Sequence, residues 1–352
     1  MARLKMLLDP SKMGTEAQAL DDNLRKRIVG QDAAIRQIVD LYQTYLAGMS
    51  AQGRPIGNFL FLGPTGSGKT RTVEAVAESL CGDPHAVIKI DCGEYQHGHE
   101  IAKLIGSPPG YLGHKETRAL LSQEALDQHH TDKVKLSFVL FDEIEKASDA
   151  LWNLLLGILD KATLTLGDNR RVDFSRALIF LTSNLGASEM ESILRPKLGF
   201  RFHEPVDVTG QAGRLDSAGA AAARRRFSPE FMNRIDRTVV FNPLDSVALQ
   251  QILTLELNGV ADRIRLATGA PDLDCALTDT ARGFLLAEGT DPRYGARHLK
   301  RAVERLLVQP VANLIASGQL QTGDTLAVDY DTAVRRLVFS KEAPLAAGSI
   351  AA

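Results

Sequence analysis

The chain has 352 residues, 44% of them hydrophobic and 24% charged, which is an ordinary composition for a globular protein of about two domains. Its 41 basic and 43 acidic residues nearly cancel, which excludes an overall charge bias toward nucleic acid or an anionic membrane. Cys81, Cys92 and Cys275 lack disulfide or zinc spacing, and the sequence has neither a signal peptide nor an apolar run that could span a bilayer. We therefore expect a cytoplasmic protein with reduced thiols.

The first part of the chain alternates helical and strand patterns. We predict a polar leader with a short helix over residues 1–25, an amphipathic helix within residues 29–49, and a further helix over residues 70–82. Compact apolar runs predict strands at NFLFL (58–62), AVIKID (86–91), SFVLFDE (137–143) and ALIFLTSN (177–184). Because strands separated by helices pair in parallel, this pattern predicts an α/β fold with helices on both faces of a parallel sheet.

The composition changes twice in the second half of the chain. Residues 201–226 are rich in Ala, Gly and charge and lack apolar periodicity until their last few positions, which predicts a mobile loop. Amphipathic helical segments follow over 249–266, 279–289 and 296–318, and a hairpin pattern covers 325–340. We predict a large α/β domain over 26–241, a smaller and mainly helical domain over 242–340 that ends in a short β-hairpin, and a tail over 341–352.

The segment GPTGSGKT, residues 63–70, fits the phosphate-loop pattern G-x-x-x-x-G-K-[ST] and lies between a predicted strand and a predicted helix. Backbone N–H groups of such a loop and the following helix N-terminus bind phosphates, Lys69 reaches the β- and γ-phosphates, and Thr70 can ligate magnesium. The predicted nucleotide-binding residues of this loop are Pro64, Thr65, Gly66, Ser67, Gly68, Lys69 and Thr70.

Two carboxylates, Asp142 and Glu143, end the apolar strand SFVLFDE. At the carboxyl end of a central strand they would emerge beside the phosphate loop, where ligands of open α/β sheets bind. We expect Asp142 to hold a hydrated magnesium ion and Glu143 to orient and deprotonate the attacking water. A solvated turn is the alternative interpretation.

Asn184 ends the strand ALIFLTSN. In this sheet order it would lie beside Glu143, where it could position the attacking water or contact the γ-phosphate. An asparagine that caps the next helix is the alternative.

The sequence resembles the Clp-type AAA+ ATPases, in particular the second ATPase module of the ClpB, ClpA and ClpC chaperones. The resemblance extends from about Arg27 to about Tyr330 and rests on seven motifs in order: GPTGSGKT, EYQHGHEIAKLIGSPPGYLGH, VLFDEIEKA, RRVDF, TSNLGA, FSPEFMNRID and DPRYGARHLKR. It implies an AAA+ αβα nucleotide domain followed by a small helical domain, with ATP and Mg²⁺ as cofactors.

The resemblance also implies roles for residues outside the phosphate loop. Val29 and Gly30 match the stretch that lines the adenine pocket. Arg234 matches the arginine finger that a neighbouring subunit inserts toward the γ-phosphate, and Arg297 matches the sensor-2 arginine. A finger supplied by a neighbour implies a ring with shared sites, which in this family is a hexamer. From sequence alone, each arginine could instead form a surface ion pair.

The loop GSPPGYLGH matches the family's central-channel loop, whose aromatic residue grips a threaded polypeptide. The predicted gripping residues are Gly110, Tyr111, Leu112 and Gly113. Tyr111 offers apolar area and a hydroxyl, so it can hold many kinds of side chain; it could alternatively fold back onto the core. The next loop departs from the family pattern because it carries Lys115 and Arg118 and no glycine.

Two further features bear on partners. Leu198, Gly199 and Phe200 lie where protease-associated members carry a tripeptide that docks on the ClpP peptidase, with a packed turn as the alternative. The chain carries no recruitment domain, first ATPase ring or coiled-coil middle domain. Unless it is a fragment, we therefore expect an adaptor or the pore itself to select substrates, and we do not expect autonomous disaggregation.

The sequence thus predicts an ATP-dependent protein-remodelling chaperone that threads polypeptide through a ring pore. The alternatives are a nucleotide-driven switch or assembly scaffold without threading, and an unfoldase partner of a ClpP-like protease. A nucleic-acid motor is disfavoured, because the loop GYLG is apolar where a DNA channel would present basic residues.

Overall fold

The computed structural model describes residues 7–107, 119–194, 208–268, 275–291, 294–320 and 324–342. The chain divides into two compact units. The first comprises Met1–Pro64 and Gly68–Asn242, and the second comprises Thr65–Ser67 and Pro243–Ala352. None of the helices in the described ranges is long and apolar enough to cross a membrane.

The first unit is built on a parallel sheet. Its strands are β1 (Gly57–Leu62), β2 (Ile88–Asp91), β3 (Ser137–Asp142), β4 (Thr163–Thr165), β5 (Arg171–Asp173), β6 (Ala177–Ser183) and β7 (Arg237–Val240). Within the described residues, the sheet has the order β2-β3-β6-β1-β7, and β4 and β5 form a separate antiparallel hairpin. All carboxyl ends of the parallel strands therefore lie along one edge of the sheet.

Helices cover both faces of this sheet. They are α1 (Thr15–Arg27), α2 (Asp32–Leu46), α3 (Lys69–Cys81), α4 (Ala102–Ile105), α5 (Gln123–Asp127), α6 (Asp149–Lys161), α7 (Ala187–Leu194), α8 (Val208–Arg226) and α9 (Pro229–Met232), with short 3₁₀ turns at Cys92–Glu94, Gly98–Ile101 and Ile144–Lys146. Phe59 and Phe61 of β1 belong to the apolar core beside α1, α2 and α3, whereas Leu60 and Leu62 belong to the core beside α6 and α8. The central strands are thus buried on both faces, which confirms the predicted three-layer α/β fold.

Two predictions about the first unit need correction. The short helix predicted within residues 1–25 is present as α1, but Ala17, Leu20 and Leu24 of this helix are buried in the core beside α2 and α3, so it belongs to the domain and not to a separate leader. The mobile loop predicted over 201–226 is a helix from Val208 onward, whereas 201–207 lie outside the described residues. Alanine favours helix, and the buried face of α8 consists largely of small side chains that an apolar-periodicity search overlooks.

The second unit is mainly helical and carries a small sheet. Its elements are α10 (Ser246–Thr268), β8 (Cys275–Leu277), α11 (Asp279–Gly289), α12 (Ala296–Val303), a π-helical turn (Glu304–Val308), α13 (Gln309–Ala316), β9 (Thr325–Asp331) and β10 (Arg336–Glu342). The predicted hairpin is confirmed as the antiparallel pair β9–β10. The sequence did not predict β8, which adds to β9 in parallel.

Candidate nucleotide site

The phosphate loop begins where β1 ends. Gly63 has a φ of +144°, and a Cβ at this position would lie 2.5 Å from the carbonyl oxygen of Phe241, so only glycine fits. Gly68, with a φ of +101°, is the N-cap of α3, and among the described residues no atom beyond its chain neighbours lies within 4 Å of the position that its Cβ would occupy. The backbone at the start of α3 is therefore open to a ligand, and the helix N-terminus there favours an anion.

Lys69 lies in the first turn of α3 and is almost fully buried, with 7% of its surface exposed. Its Nζ donates hydrogen bonds to the carbonyl oxygens of Gly63 (2.7 Å) and Pro64 (2.9 Å) and to Oδ1 of Asn184 (3.0 Å). The ammonium group is thus held over the phosphate loop itself. A charge in this position can pair with a bound phosphate.

Asp142, at the end of β3, is contacted by hydroxyl groups from two neighbouring elements. Its Oδ2 accepts a hydrogen bond from Oγ1 of Thr70 (3.4 Å), and its Oδ1 accepts one from Oγ1 of Thr182 on β6. Hard cations such as Mg²⁺ prefer oxygen ligands. The Thr70 hydroxyl and the Asp142 carboxylate therefore have the chemistry of magnesium ligands, and the predicted magnesium site stays a prediction.

Glu143 follows Asp142 and has a φ of +54°, the left-handed conformation that costs a non-glycine residue about 1 kcal/mol or more. Its backbone N–H donates to Oγ1 of Thr182 (3.1 Å). Its Oε1 accepts a hydrogen bond from Nδ2 of Asn184 (3.3 Å), and its Oε2 forms an ion pair with Lys146. The hydrogen bond to Glu143 raises the pKa of Lys146.

The side chain of Asn184 connects the two halves of the site. Its Oδ1 accepts from Lys69, its Nδ2 donates to Glu143, and its backbone N–H donates to Oε1 of Glu145 (3.1 Å). The amide therefore lies between the lysine and the candidate base. The role of Asn184 in positioning the attacking water stays a prediction.

Val29 and Gly30 lie in the turn between α1 and α2, at the same edge of the sheet as the phosphate loop. The turn is held there by the buried side chain of Gln31, whose Nε2 donates to the carbonyl oxygen of Asn242 (2.9 Å) and whose Oε1 accepts from the N–H of Asn242 (3.1 Å). Asn242 directly follows Phe241, whose N–H donates to the carbonyl oxygen of Leu62 (2.7 Å). A base could therefore bind here beside phosphates held by the loop.

Arg234 lies at the opposite edge of the sheet. Its carbonyl oxygen accepts a hydrogen bond from Nδ2 of Asn58 (2.9 Å), near the amino end of β1, five residues before Gly63. A strand of five residues spans about 16 Å. The guanidinium of Arg234 is 3.2 Å from Oε1 of Glu230 and 3.8 Å from Oδ2 of Asp160. The structure therefore does not bring Arg234 to the phosphate loop of its own chain.

The remaining predicted residues belong elsewhere or cannot be placed. Arg297 lies in the first turn of α12 in the second unit, with an exposed side chain. The gripping-loop residues Gly110–Gly113 and the tripeptide Leu198–Phe200 lie outside the described residues.

Three contacting residues were not identified from the sequence. Thr182 bridges Asp142 and the N–H of Glu143, Lys146 pairs with Glu143, and Glu145 accepts from the N–H of Asn184. Thr182 is the first polar residue after the apolar run ALIFL, and this position is the signal that could have indicated it.

A parallel sheet whose first strand leads into a glycine-rich loop, with acidic and amide side chains at the neighbouring strand ends, defines a P-loop ATPase domain. The family model described as AAA domain (Cdc48 subfamily) matches residues 54–238, and the chain belongs to this family. The model described as the C-terminal, D2-small domain of ClpB protein matches residues 244–328. The two family matches together cover most of the described chain.

Curated chaperones are similar over most of this chain. The chaperone protein ClpB of Bdellovibrio bacteriovorus is 39% identical over 312 residues, which cover 88% of this chain and 33% of that protein. The ATP-dependent Clp protease ATP-binding subunit ClpC of Staphylococcus aureus is 36% identical over 324 residues, which cover 89% of this chain and 36% of that protein. The chain thus spans about a third of the length of these relatives.

A solved structure of similar fold is the closed-state cryo-electron-microscopy reconstruction of Hsp104 with ATPγS and FITC-casein. It matches with a TM-score of 0.73 and 29% identity, and the match covers 92% of this chain and 52% of that chain. Both the nucleotide domain and the small domain are therefore of a known AAA type.

Proposed function

We propose that this chain hydrolyses ATP and uses the reaction to unfold or remodel other polypeptides. The observation that carries the proposal is the convergence of Lys69, Asp142, Glu143 and Asn184 at the carboxyl edge of one parallel sheet. Membership of the AAA family and similarity to the ClpB and ClpC chaperones support the remodelling part. The three free cysteines fit a reducing compartment such as the cytoplasm.

The site residues divide the chemistry among them. The loop Pro64–Thr70 and the ammonium of Lys69 would hold the phosphates, and the turn at Val29 and Gly30 would hold the base. Thr70 and Asp142 would hold Mg²⁺, which neutralises charge on the phosphates when it is bound. Glu143 would take a proton from the attacking water, and Asn184 would fix the position of that water.

The active site is completed by a second copy of the chain. Arg234 lies about 16 Å along β1 from its own phosphate loop, and this separation supports a role at the nucleotide of a neighbour. An arginine contributed by another subunit stabilises transition-state charge and is worth roughly 10³ to 10⁵ in rate in related P-loop enzymes. We propose a homo-oligomeric ring, a hexamer by family resemblance, and a role at the nucleotide for Arg297 of the second unit.

The substrates we propose are polypeptides gripped by the loop Gly110–Gly113. Tyr111 would supply the grip, because an aromatic ring with a hydroxyl contacts many kinds of side chain without recognising one. The reconstruction of Hsp104 with FITC-casein supports a polypeptide as the partner of this class of module. We do not expect nucleic acid or a membrane as a partner.

The hydrolysis is tested by Glu143→Gln. We expect this variant to bind ATP normally and to lose turnover by at least about 100-fold, because an amide cannot accept the proton. Glu74→Gln is the matched control, since Glu74 pairs with Lys89 on the outer side of α3. Retained hydrolysis in Glu143→Gln would show that another group is the base.

The threading is tested with a tagged, loosely folded reporter protein and Tyr111→Ala. We expect the wild type to unfold the reporter with ATP, and the variant to hydrolyse ATP without unfolding it. Equal behaviour of the two proteins would reject the grip. If neither unfolds the reporter while both hydrolyse ATP, a nucleotide-driven switch or a required adaptor becomes the better explanation.

A ClpP-like peptidase is a second candidate partner, favoured by the similarity to the ATP-binding subunit ClpC. The contact would be made by Leu198, Gly199 and Phe200. We expect Leu198→Asp to abolish ATP-dependent degradation of the reporter in the presence of such a peptidase while leaving unfolding intact. Degradation that persists in Leu198→Asp would exclude this docking segment.

A further inference from the structure

A buried asparagine lies at the edge of the sheet that is remote from the phosphate loop. Asn58 is the second residue of β1 and is fully buried. The neighbouring side chains of β1 are the apolar Phe59, Leu60, Phe61 and Leu62. A polar side chain among them requires partners, because burial of an unpaired amide is costly.

The amide of Asn58 donates to two carbonyl oxygens from different elements. One belongs to Arg234 (2.9 Å), and the other belongs to Leu159 in α6 (3.1 Å). Because both partners are carbonyl oxygens, the NH₂ group must face them. The Oδ1 atom is buried and accepts no hydrogen bond within the described part of the chain. The contribution of this side chain is therefore its two donated hydrogen bonds.

These two carbonyl groups flank an ion pair. Leu159 precedes Asp160, whose carboxylate is 3.8 Å from the guanidinium of Arg234. The guanidinium is only about one-fifth exposed, and it also contacts both the side chain (3.2 Å) and the carbonyl oxygen (2.8 Å) of Glu230. Asn58 thus fixes the backbone on both sides of the Arg234–Asp160 pair.

The backbone of Asn58 is itself fixed to the segment after Arg234. Its N–H donates to Oδ2 of Asp236 (2.8 Å), its carbonyl oxygen accepts from the N–H of Asp236 (3.0 Å), and Arg54 pairs with the same carboxylate at 3.7 Å. The strand that carries Asn58 continues directly into the phosphate loop at Gly63. One strand therefore connects the subunit's own phosphate loop to the arginine at its far edge.

We propose that Asn58 is the positioning residue for Arg234. Its amide fixes the backbone of Arg234 and the backbone of helix α6, which carries Asp160. These contacts set the position of the Arg234 side chain relative to the neighbouring subunit. The inference rests on the proposed function, in which Arg234 acts on a neighbour's nucleotide.

The test uses rings mixed from two kinds of subunit. Donor subunits carry Lys69→Ala, so they supply Arg234 but lack a working site. Acceptor subunits carry Arg234→Ala, so they have the site but lack the arginine. Neither kind alone should hydrolyse ATP, and an equal mixture should regain roughly a quarter of wild-type turnover, because one interface in four pairs an intact site with an intact arginine.

Asn58→Ala is then placed in one kind of subunit at a time. In donor subunits it should lower the regained turnover at least about 10-fold, because displacement of a catalytic group by about 1 Å is enough for such a loss. In acceptor subunits it should change the turnover by less than about 2-fold. Ser137→Ala is the matched control, since Ser137 is buried at the amino end of β3 and donates to the carbonyl oxygen of Leu126 (2.9 Å). Ser137→Ala should change the regained turnover by the same small factor in donor and in acceptor subunits.

Each outcome has a distinct meaning. If Asn58→Ala acts equally in donor and acceptor subunits, or in neither, the positioning role is overturned. If the mixture with intact Asn58 regains no activity, the proposed trans-acting role of Arg234 fails instead. If Asn58→Ala subunits do not fold, the same comparison is made with Asn58→Ser, which keeps one hydroxyl donor. The proposal then requires a larger loss of turnover when Asn58→Ser is in donor subunits than when it is in acceptor subunits.

Discussion

The carboxylate of Glu143 is held by two competing partners, Asn184 and Lys146. The ion pair with Lys146 occupies an oxygen of this carboxylate that would face the attacking water. Lys146→Met should therefore raise the basal ATP turnover. The gain should be at most about 5-fold, because both partners are substantially exposed and an exposed ion pair contributes about 1 kcal/mol or less.

The measurement for Lys146→Met is kcat for ATP in the absence of polypeptide. Lys89→Met is the matched control, since Lys89 forms an exposed ion pair with Glu74 away from the site and should leave kcat unchanged. A fall in kcat of more than about 10-fold in Lys146→Met would show that Lys146 participates in the chemistry.

The hydroxyl of Thr182 organises both acidic residues at once. It donates to Asp142 and accepts from the N–H of Glu143, and Thr182 is almost fully buried. Thr182→Val keeps the shape and removes both hydrogen bonds, which leaves the N–H of Glu143 without its partner at a cost of about 1–3 kcal/mol. We expect kcat to fall roughly 10-fold.

The variant Thr182→Ser separates the loss of the hydroxyl hydrogen bonds from the loss of packing. It keeps the hydroxyl and deletes a methyl group, so kcat should return to within about 2-fold of wild type even where the melting temperature falls. A Thr182→Ser variant that is as inactive as Thr182→Val would mean that the methyl group matters and the hydroxyl does not.

Sequence reasoning identified the residues whose chemistry depends on spacing along the chain. The phosphate-loop pattern selects Lys69, and strand ends select Asp142 and Asn184. Lys146 contacts Glu143 across one turn, and Thr182 contacts Asp142 and Glu143 from the adjacent strand. The expected sheet order placed Asn184 beside Glu143 but did not identify Thr182, because the register of β3 against β6 is a long-range property.

Helix α8 shows how a buried helix face can be misjudged as a loop. From Gly213 onward, its buried positions are Leu215, Gly219, Ala222 and Ala223, which recur at helical spacing but include one large apolar side chain in that range. Small residues lower the apparent periodicity, although they allow the helix to approach its neighbours closely. By contrast, the central strands were predictable because runs such as NFLFL leave no such ambiguity.

Two glycines in α8 provide a paired test. A Cβ at Gly219 would lie 2.8 Å from Cε of Met190 and 3.0 Å from Cγ2 of Val240. At Gly213, no described atom beyond the helix's own backbone lies within 4 Å of such a Cβ. Gly219→Leu should therefore lower the free energy of unfolding by about 1–3 kcal/mol through overpacking. Gly213→Ala should raise it by about 0.5–1 kcal/mol, because alanine favours an exposed helix position.

Denaturant unfolding with circular dichroism measures both variants. A mobile loop in this segment would make both substitutions nearly neutral, so equal and small changes would contradict the helix. The opposite signs expected for two glycines six positions apart are specific to a helix with one buried face.

At the level of the whole molecule, the two edges of one sheet carry complementary parts of the active site that we propose. The carboxyl edge presents the phosphate loop with Asp142 and Glu143, and the amino edge presents Arg234. A parallel sheet keeps these edges apart by the length of its strands, so no local motion of a single chain brings them together. In the mechanism that we propose, the fold of one subunit therefore requires a second subunit.

This requirement makes the turnover per subunit depend on protein concentration. Below the concentration at which rings assemble, Arg234 has no neighbour, and kcat per subunit should fall by roughly 10³-fold or more toward the rate of an enzyme without its arginine. Sedimentation velocity run alongside the ATPase assay should show that the fall coincides with loss of the oligomer. Arg234→Ala should remain at the low rate at every concentration while still assembling. A wild-type turnover per subunit that stays constant through dissociation into monomers would mean that each chain completes its own site, and the separation of the two edges would then have no catalytic meaning.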